Sequence, residues 1–172
     1  MPTDFAVTLV DAVTADNVRL SGAFLPAHPQ AERFPAFDAV LMMHGVGGNF
    51  AEPFFRFFAE ELSARGCATL RANNRGHDIV SRSGSPAQPY LGAAYERIAD
   101  CVLDWRAWTD VLAERGYRRI LLFGHSLGAV KSAWYLAHER DTRITACVLA
   151  SPPRFTYTGW MASPLADTFA AH

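Results

Sequence analysis

The pentapeptide Gly124-His125-Ser126-Leu127-Gly128 is the strongest chemical signal in the sequence. It fits G-x-S-x-G, the pattern of a serine carried on a tight turn between a buried strand and a helix. The surroundings agree. Ile120-Leu121-Leu122-Phe123 reads as a buried strand, and residues 127–138 read as a helix. On such a turn the Ser126 hydroxyl projects above the sheet. The helix N-terminus sets free N–H groups and a favourable dipole beside any negative charge that develops there. Glycine suits positions 124 and 128 because a Cβ at either would crowd the turn. A glycine-rich helix start with a capping serine is the plainer reading, but the strand and helix on either side favour a nucleophile at Ser126.

Attack by a serine on a carbonyl needs two N–H donors aimed at the developing oxyanion. Leu127, the residue after the nucleophile, is expected to supply one. The other is expected from Val46, in the glycine-rich loop His44-Gly45-Val46-Gly47-Gly48-Asn49 that closes an earlier buried strand. A phosphate-binding reading of that loop fails. G-x-G-x-x-G counted from Gly45 needs a glycine where Phe50 stands, and no Gly-Lys-Ser/Thr follows any glycine. No nucleotide cofactor is expected.

The elements that must position these residues follow from hydrophobic period. Residues 5–10 and 18–24 alternate as strands around a turn at Asp16-Asn17, an opening hairpin. Residues 37–43 form an apolar run broken by Asp38, the pattern of a strand covered on both faces. Residues 52–65 place Phe54, Phe58 and Leu62 on one helical stripe that stops at Gly66. A short strand over 67–72 precedes a long loop over 73–90, and residues 96–115 form the longest helix, followed by Gly116. Residues 144–150 are a further buried strand. Strands separated by helices predict an α/β fold: a mostly parallel sheet with helices on both faces. The aromatic load (Phe50, Phe54, Phe55, Phe57, Phe58, Trp160) is assigned to core packing, with an apolar acyl site as the alternative.

Composition narrows the partners. Sixteen basic residues face 17 acidic ones in 172, a formal net charge of −1, so no electrostatic footprint for nucleic acid or an anionic membrane is present. No apolar stretch approaches the ~20 residues a membrane span needs, and the first residues lack the charged-then-apolar pattern of a signal peptide. Cys67, Cys101 and Cys147 are odd in number, far apart and without metal-ligand spacing. They predict reduced packing residues in a cytoplasmic protein with no metal.

Taken together, His44-Gly45, Asn74-Arg75-Gly76-His77-Asp78 and Gly124-His125-Ser126-Leu127-Gly128, each closing a strand, resemble the α/β-hydrolase superfamily. The second motif departs from the common Arg-Gly-His-Gly, since Asp78 stands in the last glycine's place. The resemblance implies hydrolysis of an ester, thioester or related acyl bond by a Ser-His-Asp/Glu triad acting on a small-molecule acyl substrate. An acyltransferase, or a non-catalytic binding module of the same fold, is the alternative. Family order is serine, acid, histidine, and after Ser126 the sequence offers Asp141 and Asp167 as acids and His138 and His172 as bases. None of these is well placed. Residues 1–151 are expected to be the N-terminal part of the core, with strands one to six present and the last two missing, and 152–172 the start of a lid. The triad acid and base are then expected beyond residue 172. The strand over 144–150 is expected to be an apolar sheet edge prone to self-association.

Overall fold

The computed structural model describes residues 6–85 and 88–154. Its main sheet has six strands in the order β1-β2-β4-β3-β7-β8. The hairpin β1 (Thr8–Val13) and β2 (Arg19–Leu25) is antiparallel. Its turn is fixed locally: Asn17 takes φ 63°, and Val18 N–H donates to Thr14 Oγ1 at 2.9 Å. β1 starts three residues later than the sequence pattern predicts. Pairing with β2 sets this, putting Val10 and Ala12 inward opposite Gly22 and Leu20.

β3 (Ala39–Met43) and β4 (Ala68–Ala72) are buried at every residue, as interior strands of a sheet covered on both faces must be. β3 lies between β4 and β7 (Ile120–His125), parallel to both, and β8 (Ile144–Ala150) adds parallel to β7 at the edge. Three helices make the crossovers: α1 (Pro53–Ala64), α2 (Cys101–Glu114) and α3 (Leu127–His138). A 3-10 turn, Ile98–Asp100, leads into α2. As predicted, α1 and α2 stop at glycines in the left-handed region, Gly66 (φ 81°) and Gly116 (φ 91°).

The sheet carries a core on each face. One joins Leu41, Met43, Leu70 and Leu122 to Trp105, Trp108 and Tyr135 of α2 and α3. The other joins Val40, Met42 and Leu121 to Phe55 and Ala59 of α1. The expected inward stripe on α1 is therefore off by one residue. Phe55, Ala59 and Ser63 face the sheet, while Phe54 and Phe58 are exposed. A helix this rich in phenylalanine presents two overlapping apolar stripes, and its seat on β4 selects between them.

The stretch over 73–90 is also more than a loop, because β5 (Ser81–Ser85) and β6 (Gln88–Leu91) pair as a separate small hairpin. Among the described residues no helix is long and apolar enough to cross a membrane. Cys67 and Cys101 are buried free thiols, pushed by burial up to about 12. The expected lid start lies outside the described residues from 155 onward.

Candidate active site

From β3 the chain crosses to β4 on one side and reaches β7 on the other, so the sheet reverses its winding at β3. Open α/β sheets bind ligands beyond the carboxyl ends of their strands at such a reversal. His44, Asn73–Arg75 and Ser126 follow the carboxyl ends of β3, β4 and β7. One rim of the sheet gathers all three motifs.

Ser126 sits between β7 and α3 at φ 54°, ψ −123°, a conformation that L residues adopt at a cost of order 1–3 kcal/mol. The surroundings hold it there. Its N–H donates to the Ala150 carbonyl at the end of β8, 2.9 Å away, and its carbonyl accepts from Ala129 N–H at 2.9 Å. The glycines allow the close packing this needs. A Cβ on Gly45 would stand 2.8 Å from Ser126 Cβ and 3.2 Å from its Oγ, and one on Gly128 would stand 2.4 Å from the His44 carbonyl. A Cβ on Gly124 would meet the Gly128 carbonyl at 2.4 Å. The loop after β3, the turn at Ser126 and the first turn of α3 are thus in close contact.

Val46 is 60% exposed in that loop, and Leu127 is the first residue of α3. Among the described residues neither N–H donates to another group. The loop is braced from behind by buried His44. Its Nδ1 lies 2.8 Å from the Gly45 carbonyl, and its Nε2 accepts from Asn74 N–H at 3.2 Å. Those partners assign the neutral tautomer with the proton on Nδ1. The donor fixes the Gly45–Val46 peptide plane and with it the direction of the Val46 N–H.

Behind His44 lies a charged pair that sequence reasoning missed. Lys131 of α3 is 1% exposed and donates to Asn74 Oδ1 at 3.0 Å and to Glu96. Asn74 also accepts from Gly76 N–H at 2.9 Å, so one amide side chain joins the loop after β4 to α3. A signal was present, since Lys131 is the lone charge before the last residue of an otherwise apolar helix.

Burial pulls the His44 imidazole down to about 4, and the nearby Lys131 charge pulls the same way against the Gly45 carbonyl. A histidine that ionises near 6.5 when unfolded and near 4 when folded favours the fold above 6.5 and loses that contribution as the pH falls toward 4. The loss is about 3 kcal/mol. Urea denaturation between those pH values is expected to show it, and His44→Gln to flatten the profile. An unchanged midpoint for the unsubstituted chain would refute a buried neutral His44.

The motif after β4 divides into two networks. His77 Nδ1 lies 2.9 Å from Asp78 Oδ2, and Asp78 Oδ1 accepts from Asn49 Nδ2 at 3.0 Å, tying this loop to the loop after β3. Asp78 takes φ 56°, so it fills the left-handed position its glycine counterpart would occupy. Its carboxyl is held below the usual range first by His77 and further by Asn49. Arg75 instead turns away to Asp16, Asp100 and Asp104.

Among the described residues no histidine hydrogen-bonds Ser126 Oγ. His138 is bound to the Trp134 carbonyl and stacked on its ring, and Asp141 is taken by Tyr135 and Arg143. Asp167 and His172 lie outside the described residues. No group of three or more His, Cys, Asp or Glu among the described residues is arranged to hold a metal ion.

Residues 38–169 match the sequence profile of the alpha/beta hydrolase fold family. An esterase of Pyrococcus furiosus is similar in structure at 25% identity and TM-score 0.66, over 98% of this chain and 60% of its own. An alpha/beta hydrolase of Penicillium sp. sh18 superposes with TM-score 0.69 at 16% identity, over 96% of this chain and 53% of its own. Est1E of Butyrivibrio proteoclasticus, in a structure with ferulic acid bound, gives TM-score 0.63 at 23% identity, over 91% of this chain and 56% of its own. The chain thus spans about 60% or less of the length of these structures. No curated protein sequence matches it.

Proposed function

The chain belongs to the α/β-hydrolase family, and from that premise we propose that it is the nucleophile-bearing part of a serine hydrolase acting on an ester, thioester or related acyl bond. Ser126 Oγ attacks the acyl carbon, the carbonyl oxygen becomes an oxyanion held by the N–H groups of Val46 and Leu127, and the acyl-enzyme forms as the leaving group departs. Water then adds through a second oxyanion in the same donors and frees Ser126. The observation that carries this reading is the strained Ser126 backbone, pinned by Ala150 and packed on Gly45. A merely capping serine has no need of positive φ, and strain kept by its surroundings is a mark of functional positions.

The base and acid of this proposal come from chain outside the described residues. No described histidine hydrogen-bonds Ser126 Oγ, and a serine hydroxyl without an adjacent base is a weak nucleophile. Residual catalysis by oxyanion stabilisation and binding alone is of order 10³–10⁴ over water, so Ser126 is expected to react slowly wherever no base reaches it. Incubation with a fluorophosphonate probe followed by peptide mass spectrometry tests the assignment. The expected result is a single adduct on the peptide containing Ser126. An adduct elsewhere, or none after prolonged exposure of the folded chain, refutes the nucleophile and favours a non-catalytic binding module.

A further inference from the structure

A second candidate site lies away from Ser126, on the α1 side of the sheet between β1 and the first half of α1. Here a cleft of about 350 Å³ is walled by Val7, Leu9 and Phe50 and carries three ionisable side chains, Arg56, Glu60 and Arg71. Arg56 and Glu60 satisfy one another at 2.7 Å, one helical turn apart. Arg71 is different. It projects from β4, is 7% exposed, and its Nε has no hydrogen-bond partner. Among the described residues no ion pair or other hydrogen bond involves its guanidinium.

A buried cation without a hydrogen-bonded ion-pair partner is among the costliest features a fold can keep. The field around Arg71 sharpens the point: burial draws it below its ordinary value, and the neighbouring Arg56 adds to that against Glu60. Two guanidiniums face one carboxylate, leaving a single positive charge in the cleft. One surplus charge beside Glu60 suits a monoanion and disfavours a phosphate dianion. The opposite wall is apolar and open, with Leu9 74% exposed on its rim. Guanidinium forks bind carboxylates with two parallel hydrogen bonds, so the polar end of the ligand is chemically defined.

We propose that this cleft binds a monocarboxylate bearing an apolar group, its carboxylate on the Arg71 guanidinium and its apolar part against Leu9 and Phe50. The inference stands apart from the hydrolase reading, since it uses none of the residues around Ser126.

Hexanoate serves as the probe, with hexanol and inorganic phosphate as comparisons. Hexanoate is expected to raise the thermal midpoint of the chain in a concentration-dependent way and to shift the NMR signals of the Arg71 side chain and the Leu9 amide. Hexanol and phosphate at equal concentration should do neither. Arg71→Met should remove the hexanoate response and, having deleted an unpaired buried cation, raise the ligand-free midpoint by about 2–4 °C. Leu9→Asp, at an exposed position that does not threaten folding, places a carboxylate of the chain itself on the rim beside Arg71 and should also abolish the response. No response to hexanoate, an equal response to hexanol, a response to phosphate instead, or a hexanoate response that survives both substitutions would each overturn the proposal.

Discussion

Val46→Pro is expected to slow fluorophosphonate labelling of Ser126 by about a hundredfold or more, without unfolding the chain. Phosphonylation, like acyl transfer, builds negative charge on an oxygen that needs N–H donors, and removing one such donor costs roughly 3 kcal/mol. Proline deletes the Val46 N–H, a donor that no other group of the described residues uses. The side chain is 60% exposed, and the N–H has no partner among the described residues. The peptide it belongs to stays braced, because His44 Nδ1 still donates to the Gly45 carbonyl. Ser126→Ala sets the floor at no labelling, and circular dichroism of both variants shows whether the fold survives. Labelling of Val46→Pro at the original rate would place the second donor elsewhere in the loop, with Gly47 next to test.

The strand-turn-helix around Ser126 was legible because its signals are local. A buried run, Gly124, Ser126, Gly128 and an apolar helix leave the backbone little choice, and α3 and β8 fall at the predicted residues. Features decided by tertiary contact were not legible. The apolar letters at 5–10 continue into Ala12 and Val13, so only pairing with β2 fixes where β1 begins. The β5–β6 hairpin is mostly Ser, Gly, Pro, Gln and Arg, with only Tyr90 and Leu91 apolar and little alternation to announce it. On α1 two phenylalanine stripes compete, and the losing one, Phe54 and Phe58, packs its rings beside His125 and Phe123 at 5.2 and 6.0 Å. At the candidate site the proposal of Ser126 as nucleophile and of Val46 and Leu127 as donors came from motif and context. The Asn74–Lys131–Glu96 support did not, because residues 57 and 35 positions apart in sequence meet only in the folded chain.

Arg75→Met is expected to destabilise the fold by about 3–5 kcal/mol at pH 7, the usual consequence of leaving a buried charge alone. Arg75 is the hub of the second network. Its Nε and one terminal nitrogen donate to Asp104 Oδ1 at 3.0 and 2.8 Å, its backbone N–H donates to Oδ2 at 2.9 Å, and Asp16 accepts from the guanidinium at 2.9 and 3.2 Å. These contacts bolt the β1–β2 turn and α2 to the loop that carries Asn74, and Asn74 holds His44 behind the loop after β3. Asp104 is fully buried, and burial pushes its carboxyl up against the pull of Arg75. With Arg75 gone that pull disappears and the folded carboxyl holds its proton to higher pH than the unfolded one. The variant therefore loses stability as the pH rises above the unfolded value near 4. Acidification should narrow its gap to the unsubstituted chain. Replacing both partners, Arg75→Met with Asp104→Leu, removes the stranded carboxylate, and such replacements of a buried pair are often neutral or better. The double variant is expected to recover most of the loss in urea denaturation. If it stays as unstable as Arg75→Met, the energy resides in the links from Arg75 to Asp16 and Asp100, and the network holds the β1–β2 turn rather than neutralising Asp104.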